Sequence, residues 1–141
     1  MANNRSWMKR AGEIARSYLA NVEELAGRKG YSRMRRKTDT AQRRGVSKPV
    51  ESAAVRIASD SRITELEREI DAVEWAFEEL QKVDGGADIA KLAATLYITK
   101  EKVSVERAAF ECFISSRTAY RYNRMFLKLV GARMGLWAPQ G

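Results

Sequence analysis

The 141-residue sequence contains no histidine, one cysteine, two prolines and nine glycines. Without histidine, the chain lacks an imidazole base, a histidine-containing catalytic triad and a histidine-ligated metal site. The single Cys112 excludes an internal disulfide and a zinc site built from several cysteines. Because glycine and proline are few, the composition is not typical of a low-complexity or disordered chain. We therefore expect a protein that is not an enzyme and that has no catalytic residues, no metal and no cofactor.

Long hydrophobic runs are also missing. No apolar stretch approaches the roughly 18 residues that a membrane-spanning helix needs. The charged residues at the start of the sequence are not followed by the apolar core of a signal peptide. These features lead us to expect a cytoplasmic protein that makes no contact with a membrane.

Positive charge is in excess and is unevenly distributed along the chain. The 26 Lys and Arg residues outnumber the 18 Asp and Glu residues by eight. Residues 1–50 carry a net charge of +9, residues 51–100 carry −5 and residues 101–141 carry +4. Two basic ends around an acidic middle favour a polyanionic partner such as nucleic acid, although basic segments can also be ordinary solvated surface.

The spacing of apolar residues predicts an all-α fold, and the first half of the chain divides into a helix and a linker. Apolar residues recur every three or four positions from Trp7 to Leu25, which predicts an amphipathic helix over residues 1–26. Gly27 and Gly30 are expected to end it. Residues 27–48 show no helical period and are predicted to be a flexible basic linker. Its candidate auxiliary phosphate contacts are Arg33, Arg35, Arg36, Lys37, Arg43 and Arg44.

The third segment, residues 49–84, has the most regular pattern of the chain. Pro49 followed by Glu51 is typical of a helix start, and this helix is expected to continue through residues 59–61 or to be interrupted there. Apolar residues then alternate at steps of three and four; they are Ile63, Leu66, Ile70, Val73, Phe77 and Leu80. Such a seam must be buried, either within the chain in a helical hairpin or against a second copy in a homo-oligomer.

The fourth segment, residues 87–141, follows a turn that contains Gly85 and Gly86. Asp88 is expected to cap a short helix over about residues 88–98. Residues 104–129 then show the pattern of a helix-turn-helix, with Ser104 and Ser115 as caps of its two helices. Residues 112–114 form the predicted turn. The residues predicted to face the core are Val105, Ala108, Ala109, Ile114, Ala119, Tyr122, Phe126 and Leu129.

The opposite face of the second helix carries residue types that read DNA. A recognition helix points its N-terminal residues at base edges in the major groove, where Arg117 and Arg121 suit guanine O6 and N7. The hydroxyl groups can donate to phosphate, and the later cations can meet the backbone. The candidate DNA-binding residues are Ser116, Arg117, Thr118, Tyr120, Arg121, Arg124 and Lys128. An ordinary helical hairpin with a solvated arginine face is the alternative. Cys112 is assigned to the turn or the core.

Residues 96–98, 105–109 and 114–121 together resemble the C-terminal domain of the RinA/ArpU-type phage late transcriptional regulators. They are similar, more distantly, to the DNA-reading region of bacterial sigma factors. The order of segments from about Val22 onward is also similar to that family. The resemblance implies an activator of phage packaging and structural genes in the cytoplasm of a bacterial host, with Arg117, Thr118, Tyr120 and Arg121 as DNA contacts. Phe110 and Phe113 depart from the family, which usually has smaller or aliphatic residues beside the turn.

Two other functions compete with this interpretation. A DNA-packaging protein such as a small terminase subunit also combines a helix-turn-helix with helical oligomerisation segments, but it usually places the DNA-reading domain first. An interaction module would instead use the acidic face of residues 65–79 to bind RNA polymerase or another protein. The expected partners are therefore double-stranded DNA, host RNA polymerase and a second copy through the 63–80 seam.

Overall fold

The computed structural model describes residues 4–41 and 49–137, with side chains described for residues 6–29 and 58–137. The predicted all-α class is confirmed, since these residues contain six helices and no strand. The helices are α1 (Asn4–Arg16), α2 (Tyr18–Ala41), α3 (Pro49–Gln81), α4 (Gly86–Tyr97), α5 (Val105–Glu111) and α6 (Ser116–Arg133).

Helices α1 and α2 take the place of the predicted helix and of most of the predicted linker. They are separated only at Ser17, whose backbone amide still donates to the carbonyl of Glu13 at 3.0 Å. Helix α2 continues through Gly27 and Gly30 to Ala41, so the prediction of a linker over residues 27–41 is wrong. Residues 42–48 lie outside the described residues. A glycine inside a helix costs only about 1 kcal/mol relative to alanine, and packing against α3 can offset this cost.

Ion pairs join α2 to α3. The Nε and Nη2 groups of Arg62 donate to the two carboxylate oxygens of Glu24 at 2.9 and 3.0 Å, and Arg28 Nε donates to the same carboxylate at 2.7 Å. Arg62 first, and then Arg28, lower the pKa of Glu24 from 4.5 to about 2. Lys29 Nζ lies 4.0 Å from Glu67 Oε1 one turn further along. The pairing between α2 and α3 thus depends on residues about 38 positions apart in the chain.

Helix α3 is continuous, and its apolar seam is covered by the same chain. It runs from Pro49 to Gln81 without a break at residues 59–61. The seam residues Leu66, Val73 and Leu80 are buried, and α3 lies against α1, α2, α4 and α6. The intrachain alternative is therefore the one found in the structure. These buried side chains are not free to contact a second copy.

Two adjacent glycines make the sharp turn from α3 to α4. Gly85 has a φ of 77°, a left-handed conformation that favours glycine. A Cβ atom on Gly86 would lie only 1.7 Å from the carbonyl oxygen of Leu80, so only glycine fits at this position without a shift of the backbone. Gly85 is the N-cap of α4, and Asp88 lies inside the first turn. The prediction that Asp88 caps this helix is wrong because the chain enters the helix directly from the glycine pair.

One hydrophobic core within the described residues unites α1 with α3, α4, α5 and α6. Phe126 of α6 lies at its centre, with its ring 4.9 Å from that of Phe77 and 5.6 Å from that of Tyr97. The rings of Trp7 and Trp137 meet at 5.6 Å. Helix α1 thus packs in the same core as the segment predicted to be the helix-turn-helix domain, and it helps to hold α6 in position.

Candidate nucleic-acid interface

Helix α5 begins and packs as its sequence predicts. Ser104 is its N-cap, with an extended backbone and a side-chain oxygen that accepts a hydrogen bond from the amide of Arg107 at 3.1 Å. Ala108 and Ala109 are buried where α5 meets α6. Their small side chains allow the two helices to approach closely, which confirms the predicted inner face of α5.

The turn between α5 and α6 is a Schellman motif with an unusual residue in it. The amide of Ile114 donates to the carbonyl of Ala109 at 3.0 Å, and the amide of Phe113 donates to that of Phe110 at 3.2 Å. Phe113 has a φ of 59°, in the left-handed region where glycine is usual. Its side chain is 90% exposed and that of Phe110 is 77% exposed. Ile114 packs against the core, as predicted for the apolar anchor of the turn.

Helix α6 starts at a second serine cap. The side-chain oxygen of Ser115 accepts from the amide of Thr118 at 3.1 Å, and its hydroxyl donates to Thr118 Oγ1 at 2.9 Å. Ser115 therefore caps the helix as predicted. Thr118 is half-buried and contacts the cap, so of the proposed polar contacts it is the one least directed to solvent.

The two faces of α6 are divided as the sequence predicts. Ala119 and Phe126 are fully buried, while Tyr122 and Leu129 pack against the core at its margin. The outer face is exposed along the length of the helix; it carries Ser116, Arg117, Tyr120, Arg121, Arg124 and Lys128.

Four cations form a stripe along the outer face of α6. They are Arg117, Arg121, Arg124 and Lys128, at successive steps of four, three and four residues. None of them has an ion-pair partner among the residues whose side chains are described. The guanidinium of Arg121 lies 5.7 Å from the centre of the Tyr122 ring, a cation–π distance that orients the side chain. The stripe is therefore a continuous surface of uncompensated positive charge.

A carboxylate borders this stripe, and sequence reasoning did not anticipate it. The hydroxyl of Tyr120 donates to Glu106 Oε1 at 2.5 Å, which joins α6 to the first turn of α5. This hydrogen bond lowers the pKa of Glu106 and raises the pKa of Tyr120. Tyr120, a predicted DNA contact, is half exposed and already has a partner for its hydroxyl. Only the crossing of the two helices brings these residues, 14 positions apart, together.

A second unanticipated contact joins α6 to the end of α4. The hydroxyl of Tyr97 donates to Asn123 Oδ1 at 2.5 Å. Tyr97 is buried, and burial raises the pKa of its hydroxyl. Asn123 directly precedes Arg124, so this bond fixes the middle of the cationic stripe relative to the core.

The predicted auxiliary contacts fall in a part of the chain without described side chains. Arg33, Arg35, Arg36 and Lys37 belong to the helical backbone of α2, but their side chains lie outside the described residues. Arg43 and Arg44 lie in the segment 42–48, which is not described. Their role in binding phosphate stays a prediction.

Comparison of the chain with protein-family models, with curated proteins and with solved structures finds no match. Among the described helices, none combines the length and the apolar character that crossing a bilayer requires. The described side chains also contain no group of three or more His, Cys, Asp or Glu residues placed to share a metal ion. Cys112 packs at the margin of the core, with its sulfur 3.6 Å from Thr95 Oγ1. The geometry of α5, the turn and α6 is thus the basis for a functional proposal.

Proposed function

We propose that this protein is a sequence-specific DNA-binding transcriptional regulator in which α5, the turn and α6 act as a helix-turn-helix. The observation that carries the proposal is the stripe of four exposed cations without described partners along the outer face of α6. Exposed unpaired arginines at helical spacing, on a helix fixed by a core on its other side, match what binding in a DNA groove requires.

The dimensions of α6 suit the major groove. An 18-residue helix is about 27 Å long and, with side chains, about 10–12 Å wide, close to the width of about 12 Å of the B-DNA major groove. The N-terminal half would enter the groove, so that Arg117 and Arg121 reach base edges. Arg124 and Lys128 would then lie beside the sugar–phosphate backbone, where Ser116 adds a donor near the cap.

The resemblance to RinA/ArpU-type regulators indicates which genes the protein would regulate and in which kind of cell. On this proposal the protein activates late genes of a phage, those for packaging and structural proteins, in the cytoplasm of a bacterial host. Contact with host RNA polymerase would accompany DNA binding. The resemblance rests on residues 96–98, 105–109 and 114–121 and on the order of segments, and residues 105–109 and 114–121 lie in α5, at the end of the turn and at the start of α6.

The test is selection of bound sequences from a random duplex pool, followed by affinity measurements on the enriched site. The variant Arg121→Ala should weaken specific binding by roughly 1–3 kcal/mol and relax the base preference at one position. The matched control is Arg68→Ala. Arg68 belongs to α3, and its side chain donates to the carbonyl of Met134, at the C-terminal end of α6, at 3.0 Å. Met134 is 13 residues beyond Arg121, about 20 Å along a helix at 1.5 Å per residue, which exceeds the Debye length of about 10 Å at 0.1 M salt, so the control should bind DNA normally.

Two results would overturn the proposal. One is a selection that enriches no sequence from the pool. The other is an Arg121→Ala protein that binds the enriched site as tightly as the unsubstituted protein while both remain folded by circular dichroism. If a terminase gene lies downstream of the gene for this protein, footprinting of the region upstream of that terminase gene tests whether the site lies at a late promoter.

A further inference from the structure

A second basic feature lies beside α6, in the loop of residues 98–104 that joins α4 to α5. This loop, the end of α4 and the last residue of α1 line an open cavity of about 230 Å³. Its polar lining consists of Arg16, Thr99, Lys100, Glu101 and Lys102, above a floor formed by Leu96 and Tyr97. We call this cavity the Arg16–Lys102 pocket.

The lining of the pocket is net positive. Three of its side chains are cationic and one, Glu101, is anionic. Arg16, Lys100 and Lys102 are exposed, and none has an ion-pair partner among the residues with described side chains. The guanidinium carbon of Arg16 lies 5.8 Å from the centre of the Tyr97 ring, so the aromatic floor orients it over the pocket. Three cations against one carboxylate give the concavity a net positive lining, which favours an anion.

Hydrogen bonds to α6 hold both ends of this loop. At its start, Tyr97 donates to Asn123, and just beyond its end Glu106 accepts from Tyr120. Asn123 and Tyr120 lie three residues apart on α6, so the loop runs beside one turn in the middle of that helix. The same turn carries Arg121, and Arg124 follows it, in the cationic stripe. The pocket is thus held next to the surface that faces DNA in the proposed function.

The geometry points to the Arg16–Lys102 pocket as a binding site for a phosphate of the DNA backbone, on the strand that borders the groove entered by α6. This inference rests on the proposed function and adds a contact outside the helix-turn-helix. When a recognition helix lies in the major groove, the elements preceding it cross the neighbouring backbone, and phosphate contacts there fix the register of the complex. The N-terminal helix would therefore contribute to DNA binding through Arg16.

The experiment measures how the affinity for the enriched duplex depends on salt. The double variant Lys100→Gln/Lys102→Gln should bind more weakly and should reduce the log–log salt slope by about 0.9 for each phosphate that the protein no longer neutralises. Arg16→Gln should change the slope in the same direction. Because phosphate contacts carry no sequence information, the ratio of specific to non-specific affinity should stay constant in all these variants, whereas Arg121→Ala lowers it. The charge-matched control is Arg68→Gln/Lys82→Gln, which should leave the slope unchanged; Arg68 lies within α3 and Lys82 directly follows its last residue.

The outcomes separate the two proposals. Suppose that the unsubstituted protein selects a site, that Arg121→Ala weakens binding to that site, and that the pocket variants have the same salt slope as the control. In that case the pocket inference is overturned and the proposed function stands. If no sequence is selected, the proposed function is overturned, and so is the pocket inference, because it rests on that function. A titration with inorganic phosphate, monitored through the amide chemical shifts of residues 98–104, tests whether the pocket binds a free phosphate compound instead of the DNA backbone. Saturable binding of inorganic phosphate together with an unchanged DNA slope would assign the pocket to a free phosphate compound and overturn the inference.

Discussion

Truncation of one residue of α1 tests whether the N-terminal helix belongs to the core around α6. Ile14 is 1% exposed and is among the largest fully buried side chains. It lies in the same core as Val73, Phe126 and Val130, although it is more than 50 residues from each of them in sequence. If α1 did not belong to this core, the substitution Ile14→Ala would leave the unfolding of α3–α6 unchanged.

The expected cost follows from burial. Replacing a fully buried isoleucine by alanine removes the transfer free energy of its side-chain carbons and leaves a cavity, which together cost about 2–5 kcal/mol. Domains of this size are stable by roughly 5–15 kcal/mol, so the loss is a large share of the total. A lowering of Tm by roughly 10 °C is the corresponding thermal effect. The control Val22→Ala on α2, where the side chain is 38% exposed, should change stability by no more than about 0.5 kcal/mol.

Urea unfolding followed by two probes measures this effect. Far-UV circular dichroism reports all helices, and tryptophan fluorescence reports the surroundings of Trp7, Trp75 and Trp137, of which Trp7 and Trp137 have rings 5.6 Å apart. We expect a single transition with the same lowered midpoint for both probes in Ile14→Ala. A midpoint equal to that of Val22→Ala would refute the reasoning. So would two separate transitions in which the fluorescence change precedes the loss of helix.

Two further predictions concern the turn and the α2–α3 pair. Phe113→Asn should stabilise the protein by about 0.5–1 kcal/mol in urea unfolding. A left-handed conformation costs most residues about 1–2 kcal/mol and costs asparagine less, and the Phe113 ring, which is 90% exposed, loses little burial when it is removed. A loss of stability would mean that the ring makes native contacts. Glu24 has its pKa lowered from 4.5 to about 2, so its contribution is complete above pH 4.5 and is lost as the pH falls towards 2. The Tm difference between the unsubstituted protein and Glu24→Gln should therefore shrink over that pH range, and a constant difference would contradict the pairing with Arg62.

The sequence predicts well those features that depend on neighbours in the chain. The caps at Ser104 and Ser115, the turn at residues 112–114 and the two faces of α6 are confirmed, because each follows from residues within about four positions of one another. Glycine was the local signal that misled, since Gly27 lies inside α2 rather than after its end.

Contacts between distant segments could not be predicted. The packing of α1 against α6, the Glu24–Arg62 pair and the Tyr120–Glu106 hydrogen bond all depend on how helices cross, which periodicity does not specify. The same holds for the Arg16–Lys102 pocket, which needs the end of α1 beside the loop after α4. The sequence pattern was therefore enough to predict the helix that carries the candidate site, α6. The groups that surround this helix could be identified only from the three-dimensional fold.

The fold also changes what the charge of the chain means. Sequence totals of +9 and +4 indicate that the N-terminal end is the more basic of the two, but two of its cations lie beside carboxylates of the acidic helix α3. Arg10 lies 3.9 Å from Glu69, and Lys29 lies 4.0 Å from Glu67. Such pairs reduce the attraction of α1 and α2 for a polyanion, because each positive charge is largely balanced a few ångströms away. Arg16 and the four cations of α6 have no such partner among the described side chains, so under the proposed function these five cations would attract a polyanion more strongly than Arg10 and Lys29 do.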